Sequence, residues 1–279
     1  MNAGALYVVA TPLGNLGDLS SRARDTLAMV DRVIAEDTRR VRRLLAYLGL
    51  RKPTLSLHEH NERERVPQLL EALAAGEALA LVCDAGTPLV SDPGYHLVRA
   101  ATAAGIRAVP VPGPSAVTAA LSVAGLPAGR FVFEGFLPAR APARRERLAE
   151  LGVEPRTVVF FEAPHRIVEA LEDAAAVFGE EREAAIAREL TKVHETVRRD
   201  RLGALCRWLR ADPEQQKGEF VVVVRGVEER GESGRQREGE RVTMLLLEAG
   251  LSVGQAAGLG ARITGARRNA LYEWALKHR

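Results

Sequence analysis

Short apolar runs alternate with helix-patterned stretches through most of this chain. That alternation restricts it to helices packed on mainly parallel sheets. The first runs lie at residues 6–10, 32–35, 79–83 and 107–111, and the amphipathic stretches between them end at Gly49, Gly76 and Gly105. Residues 62–75 show the helical period clearly, with Val66, Leu69, Leu70 and Leu73 on one face and with Asn61 and Glu64 spaced as a capping box. Asp92-Pro93 reads as an N-cap followed by proline at the first helical position. A second set of runs, at 131–136, 157–161, 184–187 and 220–224, predicts a second α/β domain. The two domains are expected to span residues 1–114 and 115–225.

From 225 to 240 nine of sixteen residues are charged and four are glycine. So little can be buried there that residues 226–240 read as a linker. Beyond it, residues 241–279 carry three short helical patterns punctuated by Gly250, Gly260 and Gly265, a small all-helical, helix-turn-helix-like module. The expected class is therefore α/β: two α/β domains plus that C-terminal module.

With 279 residues, such domains can bury substantial cores without covalent staples. Cys83 and Cys206 stand alone in apolar segments, as suits a reducing cytoplasm, and the six histidines have no metal-ligand spacing, so no metal is expected. The chain opens on a strand pattern rather than a signal peptide. The uncharged run 108–129 carries Pro110, Pro112, Pro114 and Pro127, which reads as strand, loop and buried helix rather than a membrane span.

The net charge is only +3, but the basic excess is clustered. Residues 36–52 hold six Lys or Arg against two acids, residues 241–279 again six against two, and the 138–147 loop adds Arg140, Arg144, Arg145 and Arg147. Such surpluses suit a phosphate backbone, although charge runs are also ordinary solvated faces.

Three loops after strand ends are rich in Gly, Pro, Asp and Thr: Thr11-Pro-Leu-Gly-Asn15, the stretch Asp84 to Gly94, and Val111-Pro-Gly-Pro-Ser115. In open parallel sheets ligands bind beyond the carboxyl ends of the strands, so these loops predict one composite pocket. No GxGxxG follows the first strand and no GxxxxGK[ST] occurs, which disfavours dinucleotide oxidoreductases and P-loop NTPases.

Together with Ala35-Glu-Asp-Thr-Arg39, Leu57-His-Glu-His-Asn-Glu62, Phe133-Glu-Gly-Phe-Leu-Pro138, Phe161-Glu-Ala-Pro-His-Arg166, Ala187-Arg-Glu-Leu-Thr-Lys192 and Lys217-Gly-Glu219, these loops form an ordered set running nearly end to end. The set resembles the tetrapyrrole-methylase-like, class III S-adenosylmethionine methyltransferases. It is most similar to the group that methylates the ribose 2′-hydroxyl of a cytidine in the decoding region of 16S ribosomal RNA. The resemblance implies a homodimer with S-adenosylmethionine in the cleft between two α/β domains, and 16S ribosomal RNA or the small ribosomal subunit as partner. It puts cofactor contacts on Leu13, Gly86, Thr87, Val90, Ser115, Ala116, Phe161 and Glu219. The wider family usually has Gly-Asp-Pro where this chain has Gly86-Thr87-Pro88, so backbone contacts are the transferable ones there.

A ribose hydroxyl must also lose its proton. Asp37 and His60 are the leading candidates for that base, among Glu36, Glu59, Glu162, His165, Glu189 and Lys192; Asp37 would equally serve to cap a helix at Thr38. Arg39, Arg40, Arg42 and Arg43 follow Asp37 directly and, with Arg144, Arg145, Arg267 and Arg268, are the expected RNA contacts. A tetrapyrrole C-methyltransferase and a non-catalytic RNA-binding assembly factor remain the alternatives.

Overall fold

The computed structural model describes residues 4–58, 60–227 and 232–278, in two units, Met1–Gly226 and Val227–Arg279. The first unit contains two five-stranded sheets. Strands β1 (Ala5–Val9), β2 (Arg32–Ala35), β3 (Thr54–Ser56), β4 (Ala78–Val82) and β5 (Arg107–Val111) form the first, ordered β3-β2-β4-β1-β5 with every pairing parallel. Its inner strands β1, β2 and β4 read as nearly continuous apolar runs because both faces are covered. Val9, Ala80 and Val82 pack with Leu27 of α1 (Ser21–Met29) and with Val41 and Leu44 of α2 (Thr38–Tyr47). On the other face, Leu79 and Leu81 pack with Val66, Leu69 and Leu73 of α3 (Glu62–Ala74) and Leu97 of α4 (Tyr95–Ala103).

The remaining helices of this unit are α5 (Ala116–Val123), α6 (Ala141–Leu151), α7 (Ile167–Phe178) and α8 (Leu202–Ala211). They cover β6 (Phe131–Phe136), β7 (Thr157–Glu162), β8 (Glu183–Arg188), β9 (Thr196–Arg201) and β10 (Phe220–Val224), ordered β6-β7-β10-β8-β9. Only β6 and β7 pair in parallel; the other pairings are antiparallel. Strand β10 shows the period of two: Phe220, Val222 and Val224 join the core under α6, α7 and α8, whereas Val221 and Val223 meet Val117, Ala120 and Leu121 of α5.

Two N-terminal caps differ from expectation. Asn61 precedes α3, but its carboxamide oxygen accepts from His58 N at 2.9 Å and makes no cap bond. Gly94, at φ 119°, is the N-cap of α4, which leaves Asp92 outside the helix.

The second unit holds α9 (Glu232–Glu248), α10 (Val253–Thr264) and α11 (Arg268–Lys277). Its first helix corrects the C-terminal part of the expected linker over 226–240, whose residues 228–231 lie outside the described residues: composition averaged across that window hides a helix that begins at Glu232. A Cβ on Gly239 would stand 2.8 Å from Ala266 Cβ and from Leu271 Cδ2, so this glycine permits close helix packing. Gly260 likewise lies inside α10, not at its end, where a Cβ would come 2.5 Å from the buried Thr243 hydroxyl. Among the described residues no helix is long and apolar enough to cross a membrane.

Candidate functional site

The three loops converge at the carboxyl ends of β1, β4 and β5. Thr11 and Gly86 exchange backbone hydrogen bonds (2.8 and 2.9 Å), Thr11 Oγ1 donates to Cys83 O at 3.1 Å, and Thr87 Oγ1 donates to Pro114 O at 3.0 Å. Gly86 takes φ 85°, and Leu89 and Ser91 take φ 72° and 66°, conformations costly for side-chain-bearing residues and concentrated at functional loops.

These loops wall a cleft of about 920 Å³ open to solvent, closed on its other side by residues of the second sheet. Leu13, Gly86, Thr87 and Val90 line it from the first sheet's loops, and Ser115, Ala116, Phe161 and Glu219 from the second half, so all eight expected cofactor positions meet in one cavity. Phe161 is braced edge-on by Phe133 and Phe136 at 4.9 and 5.7 Å between ring centres. On the second-sheet side, the Lys192 ammonium donates to Glu189 Oε1 (2.8 Å) and to Oε2 of the lining residue Glu219 (3.1 Å). Its aliphatic stem lies so close to Gly14 that a Cβ there would fall 2.1 Å from Lys192 Cγ.

The cleft also holds a carboxylate that the sequence pattern assigns to a helix cap. Asp92 lines the cavity half-buried, and burial first, then the charges of Glu36 and Asp84, push its carboxyl up to about 6 against the pull of the Cys83 thiol. The order Asp-Pro imitates a helix start, and the left-handed backbone of Ser91 just before it is marked by no local pattern.

The other acid–base candidates are engaged or distant. Asp37 caps α2, accepting from Arg39 N at 2.8 Å, and its ion pair with Arg39 holds the carboxyl down at about 2, a weak base. His60 is exposed beside His58 and is not among the cavity's lining residues, and Glu59 lies outside the described residues. Glu162 is buried against Arg166, and His165 is exposed. Burial pushes the Lys192 ammonium down, but its hydrogen bonds to Glu189 and Glu219 outweigh that and keep it charged. Among the described residues no group of three or more His, Cys, Asp or Glu side chains is arranged to hold a metal ion.

The arginines divide sharply. Arg144 is fully buried, with Nε 2.7 Å from Asp173 Oδ2, so its expected RNA contact is corrected to a structural one: the helical period of α6 turns it inward. Arg145 shares Asp173 but stays exposed. Arg39 folds back on Asp37, Arg42 donates to Thr54 Oγ1 at 3.1 Å, and Arg40 pairs with Asp84 at 3.3 Å on the cleft wall. Arg267 is the N-cap residue of α11, and Arg268 opens that helix.

A family model described as Tetrapyrrole (Corrin/Porphyrin) Methylases matches residues 5–206, the whole first sheet and all of the second but β10. The chain belongs to the tetrapyrrole methylase family. A second model, the RsmI C-terminal HTH domain, matches residues 234–279. A methylase of Xylella fastidiosa strain Temecula1, named ribosomal RNA small subunit methyltransferase I, is 55% identical over 96% of this chain and 98% of its own. Its namesake in Escherichia coli O157:H7 is 47% identical over 98% and 95%. Among solved structures, the uroporphyrin-III-C-methyltransferase of Thermus thermophilus shares the fold, with TM-score 0.58 and 21% identity over 81% of this chain and 96% of its own. The methyltransferase CobJ does so with TM-score 0.61 and 20% identity over 80% and 95%. The parallel first sheet, the mixed second sheet and the cleft between them are thus the methylase scaffold, and the three helices of the second unit are an addition to it.

Proposed function

We propose that this methylase transfers the methyl group of S-adenosylmethionine to the ribose 2′-hydroxyl of a cytidine in the decoding region of small-subunit ribosomal RNA, acting as a cytoplasmic homodimer. The cleft carries this reading. Leu13, Val90 and Phe161 offer apolar walls for an adenosyl group, the Gly86 loop brings backbone close, and Ser115 and Glu219 supply polar ends. Bound there, S-adenosylmethionine supplies a methyl group already activated by its positive sulfur. The chain's own residues then align the acceptor and take its proton; of the two half-buried aspartates on the cavity wall, Asp84 is paired with Arg40, which leaves Asp92 the better suited to that second task.

RNA as acceptor is supported by the names of relatives about half identical along nearly their whole length, and by the C-terminal unit they share. At the start of α11, the side chains of Arg267 and Arg268 together with free helix N–H groups suit phosphate, which favours a docking role for that unit. Incubation with labelled cofactor tests the reading: small-subunit RNA, naked or assembled, is expected to take up label at one cytidine ribose. Label entering a tetrapyrrole and not RNA would overturn it.

Placing the cofactor against the Gly86 loop has its own consequence. A Cβ at Gly86 would lie 3.2 Å from Leu13 Cδ2 at a φ that L-residues resist, so Gly86→Val is expected to weaken S-adenosylmethionine binding about tenfold or more. Calorimetry reads this directly, and an unchanged affinity would move the cofactor elsewhere.

A further inference from the structure

Beside the cofactor cleft lies a second concavity of about 630 Å³. The two share a wall, because Arg40 and Asp84 line both. Its other sides are Pro12 and Leu16 from the loop after β1, Val41 from α2, and the guanidinium-bearing Arg43 one turn beyond Arg40. Leu16 stands 42% exposed at the lip, an apolar residue that neither core covers.

The charges around it are arranged for an anion. Along α2, Arg39 and Arg42 are turned to other partners, Asp37 and Thr54, while Arg40 and Arg43, three apart, share the face that looks into this concavity. Arg40 is held by Asp84, and Arg43 makes no ion pair or hydrogen bond among the described residues. An exposed, unengaged guanidinium beside apolar Pro12 and Leu16 matches one nucleotide unit, with phosphate on the cation and the face of a base or sugar on the aliphatic side chains.

We infer that this concavity holds the RNA nucleotide adjoining the acceptor ribose, its phosphate diester on Arg43 and Arg40 and its apolar face on Leu16. The inference rests on the reading of the chain as an RNA methylase and gives that reading a strand path: the acceptor enters the cofactor cleft over the Arg40–Asp84 pair, and its neighbour stays outside in the adjoining concavity. The geometry also explains why only two of the four arginines of α2 have this task, a division invisible in the run Arg39 to Arg43.

The test is RNA binding across a salt series, with and without turnover. Arg43→Gln is expected to raise the KM for RNA several-fold, leave cofactor affinity unchanged, and lower the slope of log affinity against log salt by about 0.7, the loss of one single-strand phosphate contact. Leu16→Glu, at an exposed position that should tolerate it, is expected to weaken RNA binding likewise. Arg51→Gln, in a separate depression of the same basic run, should do neither. An unchanged slope and KM in Arg43→Gln, or an equal loss in Arg51→Gln, overturns the inference. If the wild-type chain labels no RNA at all, the functional reading falls on that arm alone, and the salt slopes of binding still decide the concavity.

Discussion

Replacing Asp92 by asparagine is expected to lower the rate of methyl transfer by about 10²- to 10⁴-fold, the usual contribution of a positioned base. The affinity for S-adenosylmethionine and the fold should both survive. The side chain keeps its size, and the amide removes a charge that burial and Glu36 already disfavour. The pH profile gives a sharper signature. Only the ionised carboxylate accepts a proton, so with its carboxyl raised to about 6 the wild-type rate should climb through pH 6 and level off above it, and the Asp92→Asn variant should lose that limb. Stability runs the opposite way. The folded chain holds this proton more tightly than the unfolded chain, whose carboxyl titrates at the ordinary 3.8, so raising the pH between about 4 and 6 costs stability at this site, and the variant escapes that cost. Single-turnover rates across pH decide the matter: a variant with wild-type rate and limb would leave Asp92 no part in proton removal.

The second large effect is on the fold. Asp173→Ala is expected to destabilise the chain by about 3 kcal/mol, because it leaves the buried Arg144 guanidinium with Ala139 O and a longer ion pair, at 3.5 Å, to the exposed Glu169. The side chains of Arg144 and Asp173 are 2% and 7% exposed, too little for water to replace the lost partner. Arg144→Met should cost less, since Asp173 keeps Arg145 at 2.6 Å and a flexible apolar side chain of similar length refills the space. Burial alone would push the Asp173 carboxyl up, but hydrogen bonds from Arg145 and Arg144 bring it below its ordinary value. Its contribution is therefore present above the unfolded-state titration and fades as the pH falls. Urea unfolding of the variants measures both costs. A salt dependence of RNA binding that changes in a folded Arg144→Met protein would contradict the structural role assigned to this residue.

Much of this architecture is legible in the sequence because its strands are buried on both faces: runs such as Phe220–Val224 have no solvent side and announce themselves by composition. Two strands lack that signal. β9 (Thr196–Arg201) carries three arginines and an aspartate, since an edge strand can leave its side chains in water and is protected by them from pairing further, and β3 offers only three residues. The cofactor cleft is readable because glycine and proline mark the backbone approaches themselves. The proposed base is not: Asp92 and Asp37 each sit where a cap belongs, and only the fold makes one a helix cap and the other a residue of the cavity wall. The arginines mislead for the same reason. Charge is visible in sequence, but whether Arg144 faces Asp173 or solvent depends on how α6 is rotated against α7.

The Lys192 stem lying against Gly14 carries a meaning beyond that one contact. The two halves of the cleft come from segments far apart along the chain, yet their separation at this point is gauged by a single missing side chain. Position 14 therefore works as a spacer of zero thickness. A methyl added there would have to displace the Lys192 stem, and with it the ammonium that meets Glu219 on the cleft wall; because Gly14 also lines the adjoining concavity, one substitution would reach both hollows at once.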